Sequence, residues 1–235
     1  MTHLLEGSSD GARHRAVSHH EPRSGIAMDP ILIATSNPGK LSDFTGAAAA
    51  FGVQVAALPG LADLPEVAED GDSFAANARK KAAFYSRHAR GSLVLADDSG
   101  LEVPALNNRP GVRSARYAAD LPHPGDSELS ADEANNRRLL RELAAVPEAE
   151  RKARFVCVLA LARNGEIIRT FSGEIHGKIL HAPRGTHGFG YDPLFFVPEL
   201  GQTTAELTPE KKALVSHRGA AFKEFLEWYR QEPSA

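Results

Sequence analysis

The sequence predicts an α/β protein: an elongated mixed central β-sheet with helices on both sides, forming two lobes with a ligand cleft between them. Three observations carry this. Early in the chain, short apolar runs alternate with segments of helical spacing, as in βαβ units. Later, two long β signals, 154–163 and 166–180, are joined by Asn164-Gly165, a two-residue turn suited to a type I′ hairpin. Between them, the apolar run Leu93-Val94-Leu95-Ala96 leads into Asp97-Asp98-Ser99-Gly100. This reads as a buried strand ending in a turn of acid, hydroxyl and flexible glycine, where open α/β sheets bind ligands.

Residues 1–29 show no periodicity and are rich in His, Ser, Gly and Arg. They read as a disordered N-terminal extension, with Met28 a candidate start, and 30–235 as one domain. Ile31-Leu32-Ile33-Ala34 is a short strand, and Thr35 to Lys40 a compact turn. Leu41, Phe44, Ala48 and Phe51 then have helical spacing. A strand is expected over 53–57 and a Pro-, Gly- and acid-rich loop over 58–72. Asp72 or Ser73 can cap a helix from Phe74 to about His88. Its basic residues (Arg79, Lys80, Lys81, Arg87) suggest a mostly solvated face. A short strand follows the acidic turn, then an irregular stretch over 104–129, long enough to suggest function or mobility. Ser130 with Glu133 is a capping box. Gly173 and Gly177 suggest bulges or close backbone approach. After a glycine-rich loop, Leu194 to Val197 is a strand. Thr208-Pro209 opens one helix, and Ser216 caps the last.

Composition excludes several classes. No apolar run approaches a membrane span. A net charge of −3 gives no broad basic footprint for nucleic acid. The single cysteine, Cys157, excludes an internal disulfide and a cysteine-based zinc cluster; in its apolar run it reads as a small core residue. No apolar signal-peptide core is visible, so a cytoplasmic location is the default expectation.

Four stretches carry candidate chemistry. Thr35-Ser36-Asn37-Pro38-Gly39-Lys40 places small polar residues, a glycine and a lysine at a helix start, the form of an anion site without Walker spacing. Ser216-His217-Arg218 puts two candidate cations where they oppose a helix dipole, with Lys212 one turn earlier; an anionic ligand would relieve that conflict. The loop Gly185 to Tyr191 carries Phe189 and Tyr191 among glycines, suiting a flat base, and Asp192 could accept a hydrogen bond or tie the loop down. The carboxylates Glu69, Asp70, Asp97 and Asp98 suit magnesium on a polyphosphate, with Lys40, Lys81, Lys212 and Arg218 as the surrounding cations.

Together the motifs resemble the inosine triphosphate pyrophosphatase family. The matching stretches are 34–40, 96–101, 110–117 (Pro-Gly-Val-Arg-Ser-Ala-Arg-Tyr), 185–196, and 205–207 through Ser216-His217-Arg218-Gly219. They run in the family's order from Ile31 to about Tyr229. The resemblance implies hydrolysis of XTP, ITP and dITP to the monophosphate and pyrophosphate with magnesium, cleansing the nucleotide pool of deaminated purines, by a homodimer. It implies that 35–40 bind the triphosphate, with Thr35, Ser36, Asn37 and Lys40 holding it and Lys81 in support. Asp98 would be the general base and a metal ligand, Glu69 a metal ligand with Asp97 nearby, and Ser99 a substrate contact. Phe189, Gly190, Tyr191, Asp192, Lys212, His217 and Arg218 would form the base pocket. Two positions depart from the pattern: His187, often small in this family, and Ala76, where some relatives carry an acid. Other readings are a pyrophosphatase for other modified nucleotides or dUTP, and a catalytically silent nucleotide-binding protein.

Overall fold

The computed structural model describes residues 30–231; the N-terminal extension expected over 1–29 lies outside the described residues. Among the described residues, eight strands form one sheet flanked by five α-helices, in the strand order β2-β1-β3-β5-β6-β7-β8, with β4 beside β3. β1 (Ile31–Ile33) runs parallel to β2 (Val55–Ala57) and to β3 (Val94–Val103). From β3 onward, β4 (Arg109–Pro110), β5 (Lys152–Arg163), β6 (Glu166–Ile179), β7 (Phe195–Val197) and β8 (Gln202–Thr203) pair antiparallel. The sheet is therefore mixed, as expected. Asn164 and Gly165 adopt φ of 52° and 90°, the positive values a type I′ hairpin requires.

The helices follow their caps. Asn37 caps α1 (Pro38–Ala50), Ser73 caps α2 (Phe74–Ser86), and the Ser130/Glu133 capping box opens α3 (Ala131–Glu142). Thr208 precedes Pro209 at the start of α4 (Pro209–Val215), and Ser216 caps α5 (His217–Tyr229).

Strand alternation sends side chains to opposite faces. On one face, Leu95 of β3 and Leu93 just before it pack with Phe44 of α1 and Phe222 and Phe225 of α5. On the other, Val94 and Ala96 pack with Ala78, Ala82 and Tyr85 of α2. A third core, built on Leu101, Val103, Phe155, Leu139, Leu143 and Phe195, forms the second lobe. Gly173 lies against the backbone of His217 and Ala221, and Gly177 against Phe195 and Phe196, the close approach expected of both.

The acid stretch departs from the turn expected of it. Asp97-Asp98-Ser99-Gly100 is not a turn but the middle of the ten-residue strand β3, each residue in register with β5 from Leu159 to Val156. Turn-forming composition is overridden by continuous pairing with a long apolar partner strand. β1 pairs only with Val94 and Leu95, and β4 only with Glu102 and Val103. Between those pairings the acid segment borders a gap at the sheet edge.

Candidate active site

That gap opens into a cleft of about 600 Å³ between the lobes. It is lined by Thr35, Ser36, Asn37 and Lys40, by Glu69 and Lys81, by Asp97, Asp98 and Ser99, and by Phe189, Gly190, Tyr191, Asp192, His217 and Arg218. The structure thus assembles in one cleft nearly all the residues singled out from the sequence. Pro38, Gly39 and Lys212 are not part of its lining: Pro38 is exposed at the start of α1, Gly39 faces the Phe189 ring, and Lys212 reaches Asp192.

Because the two acids sit in a strand, they face opposite ways. Asp97 joins the α1/α5 side. Lys40 Nζ lies 2.9 Å from its Oδ2 and Arg218 Nε 3.8 Å, and Ser99 Oγ donates to it at 3.0 Å. Burial alone would raise the Asp97 pKa. The charges of Lys40, Arg218 and Lys81 outweigh it and hold this carboxyl well below the usual range. Asp98 joins the α2 side. Asn77 Nδ2 donates to its Oδ2 at 3.0 Å, and Lys81 Nζ lies 3.5 Å from Oδ1. Here burial wins over Lys81 and Asn77, and the Asp98 pKa is raised, with Glu69 adding to the rise. Adjacent residues of one type are thus tuned in opposite directions.

Asn77 escaped the sequence reading, although it is fully defined by its surroundings. Gly71 N–H donates to its Oδ1 at 2.8 Å, so its amide N–H faces Asp98. The sequence offered only its place on α2, one turn before Lys81; its partner Asp98 lies in β3. Lys81 pairs with Glu69, and Arg116 binds the Glu69 carboxylate and carbonyl from the opposite wall. Burial lowers the Lys81 pKa, but Asp97, Asp98 and Glu69 raise it more, so the ammonium is secured. The remaining basic residues of α2 are exposed, as expected; Lys80 pairs with Asp70.

The cations at the start of α5 do not await an anionic ligand. Asp43 of α1, unremarked in the sequence, lies 3.2 Å from Arg218 and 3.6 Å from Lys212, and Asp97 completes the pairing. His217 is buried and stacks on Phe155 at 4.8 Å. Burial and the neighbouring Arg218 and Lys212 push its pKa well down, so it is neutral at pH 7; its Nδ1 has no hydrogen-bond partner among the described residues. The helix dipole meets one paired cation rather than two free ones.

The aromatic loop divides its labour. Phe189 faces the cations, with Lys212 Nζ 4.9 Å and Arg218 Cζ 5.1 Å from its ring centre. Tyr191 is buried in the second lobe, and its hydroxyl donates to Ser114 O at 2.9 Å. Asp192 ties the loop down, binding Phe189 N–H, Lys212 Nζ and Thr204 Oγ1 at 2.7–2.9 Å. His187 is exposed and bonds Leu207 O. In the 35–40 turn, Thr35 Oγ1 accepts from Asn37 N–H and Asn37 Oδ1 from Lys40 N–H.

Could these residues hold a cation? Among the described residues, no group of three or more His, Cys, Asp or Glu side chains is placed to do so. Asp98 and Glu69 share Lys81, and two carboxylates on one side of a cleft suit magnesium, which takes the rest of its shell from phosphate and water. Asp97 is separated from that pair by its commitment to Lys40 and Ser99. Cys157 is buried in the core as expected, its thiol pKa pushed far up by burial. Among the described residues no helix is long and apolar enough to cross a membrane.

Comparison with known proteins agrees with this architecture. The family model described as Ham1 family matches residues 31–228. A dITP/XTP pyrophosphatase of Acidobacterium capsulatum is 52% identical over 196 residues, covering 83% of this chain and 96% of its own. That of Geobacter sulfurreducens is 48% identical, covering 86% and 98%. The Ham1 protein of Staphylococcus aureus superposes with a TM-score of 0.70 at 37% identity, over 86% of this chain and 99% of its own. With the family model spanning both lobes and relatives near half identity along almost their whole length, the chain belongs to the Ham1 family.

Proposed function

We propose that the protein is a nucleoside-triphosphate pyrophosphatase. It hydrolyses XTP, ITP and dITP to the monophosphate and pyrophosphate with magnesium, and so keeps deaminated purines out of DNA and RNA. The names of the relatives support the substrate class. The observation that carries the chemistry is the division of the acid pair: a charged, cation-bound Asp97 on one face and a base with raised pKa, Asp98, on the other.

Each residue then has a task. Lys40 and the turn 35–40 hold phosphate oxygens at the start of α1, where the helix dipole favours anions. Lys81 supports them from the opposite wall. Asp98 accepts a proton from the attacking water, and its raised pKa brings it closer to the range where a general base works best. Asn77 fixes its orientation. Asp98 and Glu69 would hold magnesium, which would supply positive charge against the developing charge of the phosphates. Asp97 keeps Lys40 and Arg218 in place, and Ser99 contacts substrate beside them.

Base selection follows from which donors remain free. The N–H groups of Phe189 and Gly190 are already bound by Asp192 and Asp132. Recognition of a 6-oxo group therefore falls to Arg218, whose buried Nε has no hydrogen-bond partner among the described residues, beside the Phe189 face; the neutral His217 joins it as a donor in the tautomer that carries its proton on Nδ1. An adenine amino group would face donors and leave them unpaired, at roughly 1–3 kcal/mol each. As the family resemblance implies, the active form is a homodimer in the cytoplasm. The test is magnesium-dependent pyrophosphate release across ITP, XTP, dITP, GTP, ATP and dUTP. The three deaminated purines should exceed the rest at least tenfold; a preference for dUTP, or no release from any, would overturn the reading.

A further inference from the structure

α3 lies outside every motif that defines the site, yet it holds the aromatic loop by its main chain. Asp132 and Asn136 are one helical turn apart and share a face. Asp132 Oδ2 accepts from Gly190 N–H at 2.7 Å, and Asn136 Nδ2 donates to Gly190 O at 2.8 Å. Both polar backbone groups of Gly190 are thus gripped by one helix. Gly190 has φ of 60° and lies between Phe189, which faces the cations, and Tyr191, which anchors in the second lobe.

Residues 181–188 are exposed, and Thr186 and His187 bind Ala205 O. Asp192 closes the turn on Phe189, with its carboxylate on Phe189 N–H and its own N–H on Phe189 O, while the polar groups of Gly190 itself are bound from α3. The same helix also sets the facing wall. Asn135 donates to the carbonyls of Ser114 and Ala115 and accepts from Ala118 N–H at 2.7 Å. Ser114 O also receives the Tyr191 hydroxyl.

We propose that Asp132 and Asn136 are positioning residues for base recognition: by holding the N–H and the carbonyl of Gly190, in the two peptides that flank it, they set the Phe189 ring at the height at which a purine can lie beneath it. The effect reaches the base and not the phosphates, because neither residue touches the 35–40 turn, Lys81 or Asp98. It rests on the nucleotide reading above.

The test compares Asn136→Leu, which removes the amide at similar size, and Asp132→Ala with the native protein. Two probes are titrated by calorimetry: IMP, which needs the base pocket, and inorganic tripolyphosphate, which does not. KM and kcat for ITP are measured alongside. Losing one such bond should weaken IMP and raise KM about five- to tenfold, more for the charged Asp132 bond. Tripolyphosphate affinity and kcat should stay within about twofold. Tripolyphosphate binding also reports that the variants are folded. Unchanged IMP affinity in both variants overturns the proposal, as does an equal loss for both probes, which would mark a general structural role. If the native protein binds tripolyphosphate but no inosine nucleotide, the functional reading falls first and the proposal with it; the intact reading with unchanged variants sinks the proposal alone.

Discussion

Asp97→Asn and Asp98→Asn differ by one position and should do opposite things. Asp97 is 3% exposed, and its side chain is the counter-charge for Lys40 and Arg218. Asparagine keeps the shape and removes the charge, leaving two cations with reduced compensation. Removing one partner of a buried pair costs about 3–5 kcal/mol. The Lys40 side chain keeps 17% of its exposure, and Arg218 keeps Asp43, so the lower end, about 3 kcal/mol, applies. With a urea slope of about 2 kcal/mol/M, the midpoint should fall by about 1.5 M at pH 7. Asp97 has a depressed folded-state pKa, so its contribution is full at neutral pH. It disappears as the pH falls below the unfolded value of about 4 and through the folded one. Asp98 has a raised folded-state pKa, so its ionised form opposes folding once the pH rises above about 4. Asp98→Asn should therefore match or exceed the native stability at pH 7 while turnover falls about 10²- to 10⁴-fold, the usual contribution of a general base. Urea unfolding at pH 4 and pH 7, with ITP turnover, reads both. Equal stability losses for the two variants would refute the division of the pair, and near-normal turnover in Asp98→Asn would remove the base.

Other substitutions probe neighbouring parts. Arg151, 1% exposed, donates to the carbonyls of Leu143, Ile179 and Leu180 at 2.7–3.0 Å. Arg151→Met strands all three and relieves one buried cation, for a net loss of roughly 3 kcal/mol by urea unfolding; a stable variant would show that the carbonyls find other donors. In Gly173→Ala the new methyl would meet the α5 backbone at His217 and Ala221, which cannot step aside. A loss of about 2 kcal/mol with weakened ITP binding is expected, and native-like behaviour would contradict the packing. Gly39→Ala meets only the Phe189 ring on its loop. Thermal stability should hold while KM for ITP rises; an unchanged KM would separate Phe189 from the base. Lys81→Met removes the charge that lowers the Asp98 pKa, so the acid limb of the kcat profile should move to higher pH; an unmoved limb would disconnect the two.

The sequence made most of the architecture legible, because caps, the Asn164-Gly165 turn and apolar spacing act locally. Its main error was local too. Asp, Ser and Gly signal a turn, but the pairing that keeps Asp97 to Gly100 extended comes from β5, some sixty residues away. That error concealed the central feature of the site, since a turn says nothing about which acid faces which wall. Lys40, Lys81, Arg218 and Phe189 could be named from motif context. Asp43, Asn77, Asp132 and Asn136 could not, since their importance lies in a partner distant in the chain: Arg218 and Lys212 for Asp43, Gly190 for the two α3 residues. The apparent conflict of Ser216-His217-Arg218 with the helix dipole also dissolves in three dimensions, through burial of His217 and the acids Asp43 and Asp97.

The most direct test of the account is phosphorus NMR of the native protein turning over ITP with magnesium. Cleavage between the α- and β-phosphates predicts IMP and pyrophosphate in equal amounts, with neither IDP nor orthophosphate appearing at any time. Accumulation of IDP with orthophosphate would place the reaction at the γ-phosphate and contradict the assignment of the cleft.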